Sequence, residues 1–245
     1  MAANAIPERL SALIRKTWPE GVVEEFNVDE SRFYRSHSNF ARDLGDIPGA
    51  TLAWQTPTPE ERYRYRDSDD DFGDASSSDT DFQSYHLFFL VPDGNQFRYK
   101  TESEYPEPPE DPEEEDVLNT VPGEGEIGCV AAVCLIAPVA MVDFTSREWF
   151  EDGGWSDPGI DQCFFEGESG ERITAETNYR SELGSEAFQK LESLCNKVAA
   201  VLRKHRLQVL DSSVLRLPVP RLKASEEVFL QKPIHLGEAF FFRGV

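Results

Sequence analysis

The chain has 245 residues, of which 46 are acidic and 24 basic, and its formal net charge is −22 at pH 7. Hydrophobic residues make up 39% of the chain and aromatic residues 11%, which is enough apolar material for a packed core and excludes a wholly disordered chain. Four cysteines are too few for a disulfide scaffold of this length.

A membrane span and a signal peptide are not expected from the sequence. The longest apolar stretch, Val130–Val142, is interrupted by Pro138 and is too short to cross a bilayer. The N-terminus carries Glu8 and Arg9 where a signal peptide would be apolar. We therefore predict a cytoplasmic protein.

The first predicted element is an amphipathic helix that begins after Pro7. Its apolar residues follow the i, i+3, i+4 spacing of one helix face, and Pro19 ends it. These apolar residues are Leu10, Leu13, Ile14 and Trp18. Two short strands are predicted next, within Val22–Val28 and Thr51–Gln55.

Two loop-like segments hold most of the acidic charge. Asp67–Asp81 contains seven Asp, Glu102–Glu126 contains eleven Asp or Glu, and neither contains Lys or Arg. Without these 18 acids the net charge would be −4. Their Asp/Ser/Gly and Pro/Glu composition predicts flexible segments at 67–81 and 102–126, because such residues bury little apolar surface.

Between the acidic segments the pattern predicts a β-hairpin. Tyr85–Val91 and Gln96–Lys100 have strand composition, and Pro92–Asn95 has turn composition. In such a hairpin both acidic segments would leave from the same open end, so we predict that they form one acidic lobe.

The second half of the chain begins with buried strands and contains the clearest helix. Val130–Phe144 is rich in Val, Ile and Ala around Pro138, which favours one or two buried strands. Ser185 is a good N-cap, and a helix is predicted over Ser185–Arg206. Its apolar face comprises Phe188, Leu191, Leu194, Cys195, Val198 and Leu202. The aromatic segment Ala239–Phe242 is predicted to enter the core.

These elements predict a single α+β domain over residues 1–245. Its antiparallel sheet would be packed by the Ser185–Arg206 helix and by the shorter N-terminal helix.

Three patterns resemble functional motifs, and each has a plainer explanation. Gly123–Gly128 matches G-x-G-x-x-G, but no strand precedes it and no helix follows, so a flexible turn is favoured. Asp67, Asp69, Asp71 and Gly73 resemble the start of a calcium loop, but the glycine is one place late. Asp93 with Lys100 resembles a metal-dependent nuclease motif, but Arg98 stands in place of the second acid.

No zinc or serine-hydrolase motif is present in the sequence either. We therefore predict no metal site, no cofactor and no enzymatic activity.

The favoured function is inhibition or neutralisation of a basic protein partner, of which a bacterial toxin-immunity protein is the most concrete form. The acidic runs would steer association, and the Trp residues around the turn Glu151–Ile160 would be interface anchors or core residues. The predicted partner-binding residues are Asp67, Asp69, Asp70, Asp71, Glu113, Glu114, Glu115, Asp116, Trp149 and Trp155.

The sequence is also compatible with two alternative functions. One is a non-catalytic structural or adaptor domain whose acidic segments confer solubility, and the other is an enzyme with an unfamiliar site. Because the net charge of −22 repels phosphates, we expect no nucleic-acid partner.

Overall fold

The computed structural model describes residues 6–24, 39–56, 84–107, 117–156, 158, 160, 175–226, 228, 230 and 232–242. Within these residues no helix is both long enough and apolar enough to cross a membrane.

Seven of the described strands form one sheet, and five of them follow the order β2-β3-β5-β6-β7. The other two are β4, which pairs with β5, and β8, which pairs with β6. All neighbours are antiparallel except β6 and β8. The strands are β2 Ala50–Gln55, β3 Tyr85–Pro92, β4 Arg98–Glu107, β5 Val117–Cys134, β6 Val139–Phe150, β7 Trp155–Ser156 and β8 Gln208–Leu210. Apart from this sheet, β1 Val22–Val23 pairs in parallel with β9 Lys223–Ala224.

The helices confirm the predicted N-terminal helix and the predicted helix in the second half of the chain. They are α1 Glu8–Thr17, α2 over residues 39–45, α3 Ala175–Lys204 and α4 Ser212–Leu215. Gly184 interrupts α3 with φ of 74° and ψ of 166°, so the predicted start at Ser185 coincides with a real helix boundary. Glycine adopts this left-handed φ without a Cβ clash.

The sheet separates two apolar clusters, which makes the architecture α+β with the core on both faces. On one face, which we call the α3 side, the predicted apolar stripe of α3 packs against Cys129, Ala131 and Val133 of β5. On the other, the α1 side, α1 and the C-terminal residues 234–242 pack against Val130 and Ala132. β3 is buried along its whole length because both of its faces are covered. The prediction that Ala239–Phe242 enters the core is confirmed.

The predicted hairpin of β3 with β4 is wrong. β3 pairs with the Cys129–Cys134 part of β5, and β4 pairs with the Val117–Glu126 part of the same strand. The two strands therefore follow one another along one edge of β5, separated by the 3₁₀ turn Asn95–Phe97.

The shared acidic lobe loses its geometric basis with this hairpin. Tyr85 pairs with Cys134 and Glu107 pairs with Val117, at opposite ends of β5. At about 3.3 Å per residue these ends are about 55 Å apart along the strand. Residues 67–81 themselves lie outside the described residues.

The predicted flexible segment 102–126 is wrong for the residues that the structure describes. Glu102–Glu107 belong to β4 and Val117–Glu126 belong to β5, and they pair from Glu102↔Pro122 to Glu107↔Val117. β6 ends at Phe150, which pairs with Gly123, so β4 and β5 continue beyond it as a two-stranded extension. We call residues 102–107 and 117–122 the acidic ribbon, and residues 108–116 connect its strands.

Gly123–Gly128 lie inside β5 rather than in a flexible turn. Aromatic rings occupy the space that side chains would fill: a Cβ at Gly125 would lie 2.6 Å from Cε2 of Tyr99, and one at Gly123 would lie 2.8 Å from Cε1 of Phe150. These glycines thus make room for aromatic rings that cover the strand, and a phosphate-binding loop is not formed.

An ionic cluster joins α2 to the end of α3. Lys204 donates to Asp43 over 3.2 Å, and His205 Nε2 lies 3.0 Å from the same carboxylate. The hydrogen bonds from Lys204 and Arg42 hold the pKa of Asp43 below its ordinary value. Because the folded-state pKa is depressed, the stabilisation is present above the unfolded pKa and is lost as the pH falls through the folded one.

We expect Asp43→Asn to lower the melting temperature at neutral pH, and the difference from wild type to shrink below about pH 4. Thermal melts across pH 2–8 measure both effects. Asp46→Asn is the matched control, because Asp46 is exposed in the same part of the chain. A difference that does not change with pH would contradict an ionic contribution from Asp43.

Candidate functional site

The most distinctive described surface lies on the α1 side of the sheet, at the end of the strands that α1 does not cover. Residues directly opposite each other in an antiparallel ladder share one face. The register therefore forms two cross-strand rows, Lys100–Glu124–Trp149–Trp155 and Arg98–Glu126–Arg147. We call these seven residues the ladder face.

The ladder face brings the two predicted tryptophans together. Trp149 on β6 lies directly opposite Trp155 on β7, across the turn at Glu151–Gly154. Trp155 is 64% exposed, and among the described residues it is the one large hydrophobic side chain that is exposed. Trp149 is half-buried. The two indoles form an accessible aromatic surface, as expected for interface anchors.

Charged side chains flank these indoles. The Arg147 guanidinium carbon lies 5.7 Å from the ring centre of Trp149 and 6.0 Å from that of Trp54, within cation–π range. Arg98 Nε lies 3.1 Å from Oε1 of Glu126, which is buried. These contacts hold the middle of the ladder face in a fixed arrangement.

A depression of about 650 Å³ lies where the acidic ribbon meets the end of β6, and we call it the notch. Its walls combine aromatic and charged residues from β4, β5, the end of β6 and the β6–β7 turn. They include Trp149, Phe150, Glu102, Glu124, Glu151 and Lys100. Three carboxylates against one ammonium give the notch a negative balance.

The α3 side of the same strands is closed by a polar network. The Tyr99 hydroxyl donates to Oε1 of Glu148 over 2.8 Å. Burial raises the pKa of Tyr99 and of Tyr179, which also interact with each other and with Glu148. Both phenols stay protonated at neutral pH, so this side contributes hydrogen bonds and the ladder face carries the accessible charges.

The other eight predicted partner-binding residues lie outside the described residues. They are Asp67, Asp69, Asp70 and Asp71 in the first acidic run and Glu113, Glu114, Glu115 and Asp116 in the ribbon connection. The second group follows Glu107 and precedes Val117, so its two attachment points are the paired ends of the ribbon.

Histidines that pair with acids lie elsewhere. His205 contacts Asp43, and Nδ1 of His235 lies 3.0 Å from Oε2 of Glu238. Neither lines the notch. The described residues contain no group of three or more His, Cys, Asp or Glu side chains placed to hold a metal ion.

The described cysteines have the environment of core residues. Cys129 and Cys134 are buried free thiols. Burial raises the pKa of Cys134 to about 12, which leaves almost no thiolate at neutral pH. A thiol in this state is a poor nucleophile.

No protein-family model, no curated protein and no solved structure matches the chain.

The prediction from sequence missed the charged members of the ladder face. Lys100, Glu124 and Arg147 are far apart in sequence and meet only through the pairing of β4, β5 and β6. One signal was present: in Gly-Glu-Gly-Glu the small and charged residues alternate, which is the period of a strand.

Proposed function

We propose that the protein binds a basic protein partner without catalysing a reaction, and that binding inhibits or neutralises that partner. The observation that carries this proposal is the acidic ribbon beside two accessible tryptophans. Residues 101–126 contain no Lys or Arg, and the ribbon strands extend beyond the end of β6. Exposed Glu102 and Glu104 lie on β4 within it.

The two parts of this surface would act at different stages of binding. Exposed carboxylates attract a basic surface over a Debye length of about 8 Å at physiological salt, which raises the association rate. Tryptophans act at contact range and slow dissociation. A bacterial toxin-immunity protein is the most concrete form of this proposal, because a basic nuclease offers such a surface.

One specific observation favours a second candidate function. β4, which forms one strand of the ribbon, is an edge strand of the described sheet, and charged residues on an edge strand prevent pairing with another sheet. Glu102 and Glu104 would then keep a structural or adaptor domain soluble, with no role in recognition.

We expect neutralising the ribbon connection to slow association with the partner. The variant combines Glu113→Gln, Glu114→Gln, Glu115→Gln and Asp116→Asn, and a second combines Asp67→Asn, Asp69→Asn, Asp70→Asn and Asp71→Asn. Stopped-flow kinetics with the purified partner should show the association rate falling about tenfold at low salt, while the dissociation rate changes little.

The control removes the same charge from exposed positions away from the ribbon: Glu8→Gln, Glu20→Gln, Glu186→Gln and Glu226→Gln. Equal association rates for this control and for the variant with Glu113–Asp116 neutralised, which we call the ribbon variant, would contradict steering by the acids of the ribbon connection. Self-association of the ribbon variant with unchanged partner kinetics would favour the solubilising alternative.

A further inference from the structure

The notch has the composition of a receptor for one organic cation. An indole presents a negative ring face, and carboxylates supply the opposing charge and hydrogen-bond acceptors. Trp149 supplies the ring, and Glu102, Glu124 and Glu151 supply the carboxylates.

We propose that the notch binds a single arginine side chain of the partner. This inference rests on the proposed function, since it names the group that a basic partner inserts. A guanidinium is planar, so it stacks on an aromatic ring and bonds a carboxylate through two parallel N–H groups, whereas an ammonium is a compact point charge without this planar geometry.

The protein already uses the same ring in this way. Arg147 lies over Trp149 at 5.7 Å from the ring centre, and Arg147 is not part of the notch wall. Trp149 therefore contacts an internal guanidinium outside the notch and also lines the notch itself.

The notch is preformed by the sheet. Trp149 is fixed between Glu124 and Trp155 by the pairing of β5, β6 and β7. A Cβ at Gly123 would lie 2.7 Å from the carbonyl oxygen of Trp149, so the glycine permits this close packing. A site that is ordered before binding loses less conformational freedom when it is occupied.

Lys100 is the residue that opposes the proposed ligand. It lies directly opposite Glu124 in the ladder and lines the notch, so its ammonium competes with an incoming guanidinium. Removing that charge should strengthen binding, a result that general loss of structure would not produce.

The test uses the full chain and three small probes: N-acetyl-arginine amide, its lysine counterpart and its citrulline counterpart, which has the shape of arginine without the charge. Binding is followed by the NMR signal of the Trp149 indole N–H. The Trp18 indole, which donates to the Ala239 carbonyl over 2.9 Å in the core, reports on the fold. We expect saturable binding of the arginine probe, weaker binding of lysine and none of citrulline.

The variants separate the contributions. Trp149→Leu lacks the indole reporter, so its binding is followed through the backbone amide signals of Gly123 and Glu124, which also line the notch. This variant should bind the arginine probe about two- to fivefold more weakly, and Glu124→Gln should weaken binding by a similar factor. Lys100→Met should strengthen it about two- to fivefold. Glu8→Gln, at an exposed position on α1, is the control and should leave binding unchanged.

Equal shifts with arginine and citrulline, or unchanged affinity in Trp149→Leu, overturn the proposal, as does the absence of a Trp149 shift with the arginine probe. The two proposals fail separately. If the ribbon variants slow partner association but Trp149→Leu binds the probe normally, only the arginine site is wrong. If the probe binds as expected but the ribbon variants leave association unchanged, only the steering function is wrong.

Discussion

Replacing Leu191 by alanine is expected to lower the free energy of unfolding by about 2–5 kcal/mol. Leu191 is fully buried on α3 and belongs to the apolar cluster that includes Ala131 and Val133 of β5. Truncation removes buried apolar surface and leaves a cavity between the helix and the sheet, which cannot close fully because its other walls belong to rigid elements.

Chemical denaturation followed by circular dichroism measures this loss. Gln189→Ala is the matched control, because Gln189 is exposed two residues earlier on the same helix and should change stability by less than about 0.5 kcal/mol. Neutralising Glu113–Asp116 should likewise have little effect on unfolding. If that ribbon variant were less stable than Leu191→Ala, the separation between an apolar body and an acidic recognition surface would be wrong.

The helices could be predicted because their signals are local. The apolar face from Phe188 to Leu202 repeats at helical spacing, and the structure buries it against the sheet. The start at Ser185 follows from a glycine and an N-cap residue next to each other in the sequence. Leu10 and Ile14 on α1, and Trp18 at its C-terminal end, are buried, as their helical spacing predicts.

The strand pairing could not be predicted because it is not local. A turn-like Pro-Asp-Gly-Asn between two strand-like segments favours a hairpin, yet β3 and β4 each find their partner in β5. The apolar residues of β3 also lack alternation, since both faces are buried, and so they carry no information about which side faces which neighbour.

The candidate site shows the same division. The residue types of Trp149 and Trp155 and the turn between them predict either interface anchors or core residues. Lys100 and Glu124 lie near these tryptophans only because of the register of β4 with β5. The sequence does not predict that register, because its acidic, glycine-rich composition is typical of a loop. Strands that accept aromatic rings over glycines do not have the usual strand composition.

Gly128 marks the place where this unusual strand is most sensitive to substitution. It lies in β5 between Cys129, the last partner of β3, and Glu126, the first partner of β4. A Cβ at this position would lie less than 3.0 Å from the carbonyl oxygen of Leu90 and 2.7 Å from Cε2 of Phe89. At Gly128 the backbone of β3 therefore lies closer to β5 than a Cβ atom at that position would permit.

We expect Gly128→Ala to lower the free energy of unfolding by about 1–3 kcal/mol, because one added methyl group must displace a carbonyl group and a buried ring together. Neither can move freely, since Leu90 and Phe89 are both fully buried in β3, which is paired with β2 on one side and β5 on the other. Gly45→Ala is the control: a Cβ there meets no atom within 4 Å, and alanine is favoured over glycine in a helix. Urea denaturation of both variants measures the difference. Equal unfolding midpoints would mean that β3 and β5 are not in the close contact that aligns β4 with the ladder face, and the register that assembles Lys100, Glu124 and Trp149 would then have to be revised.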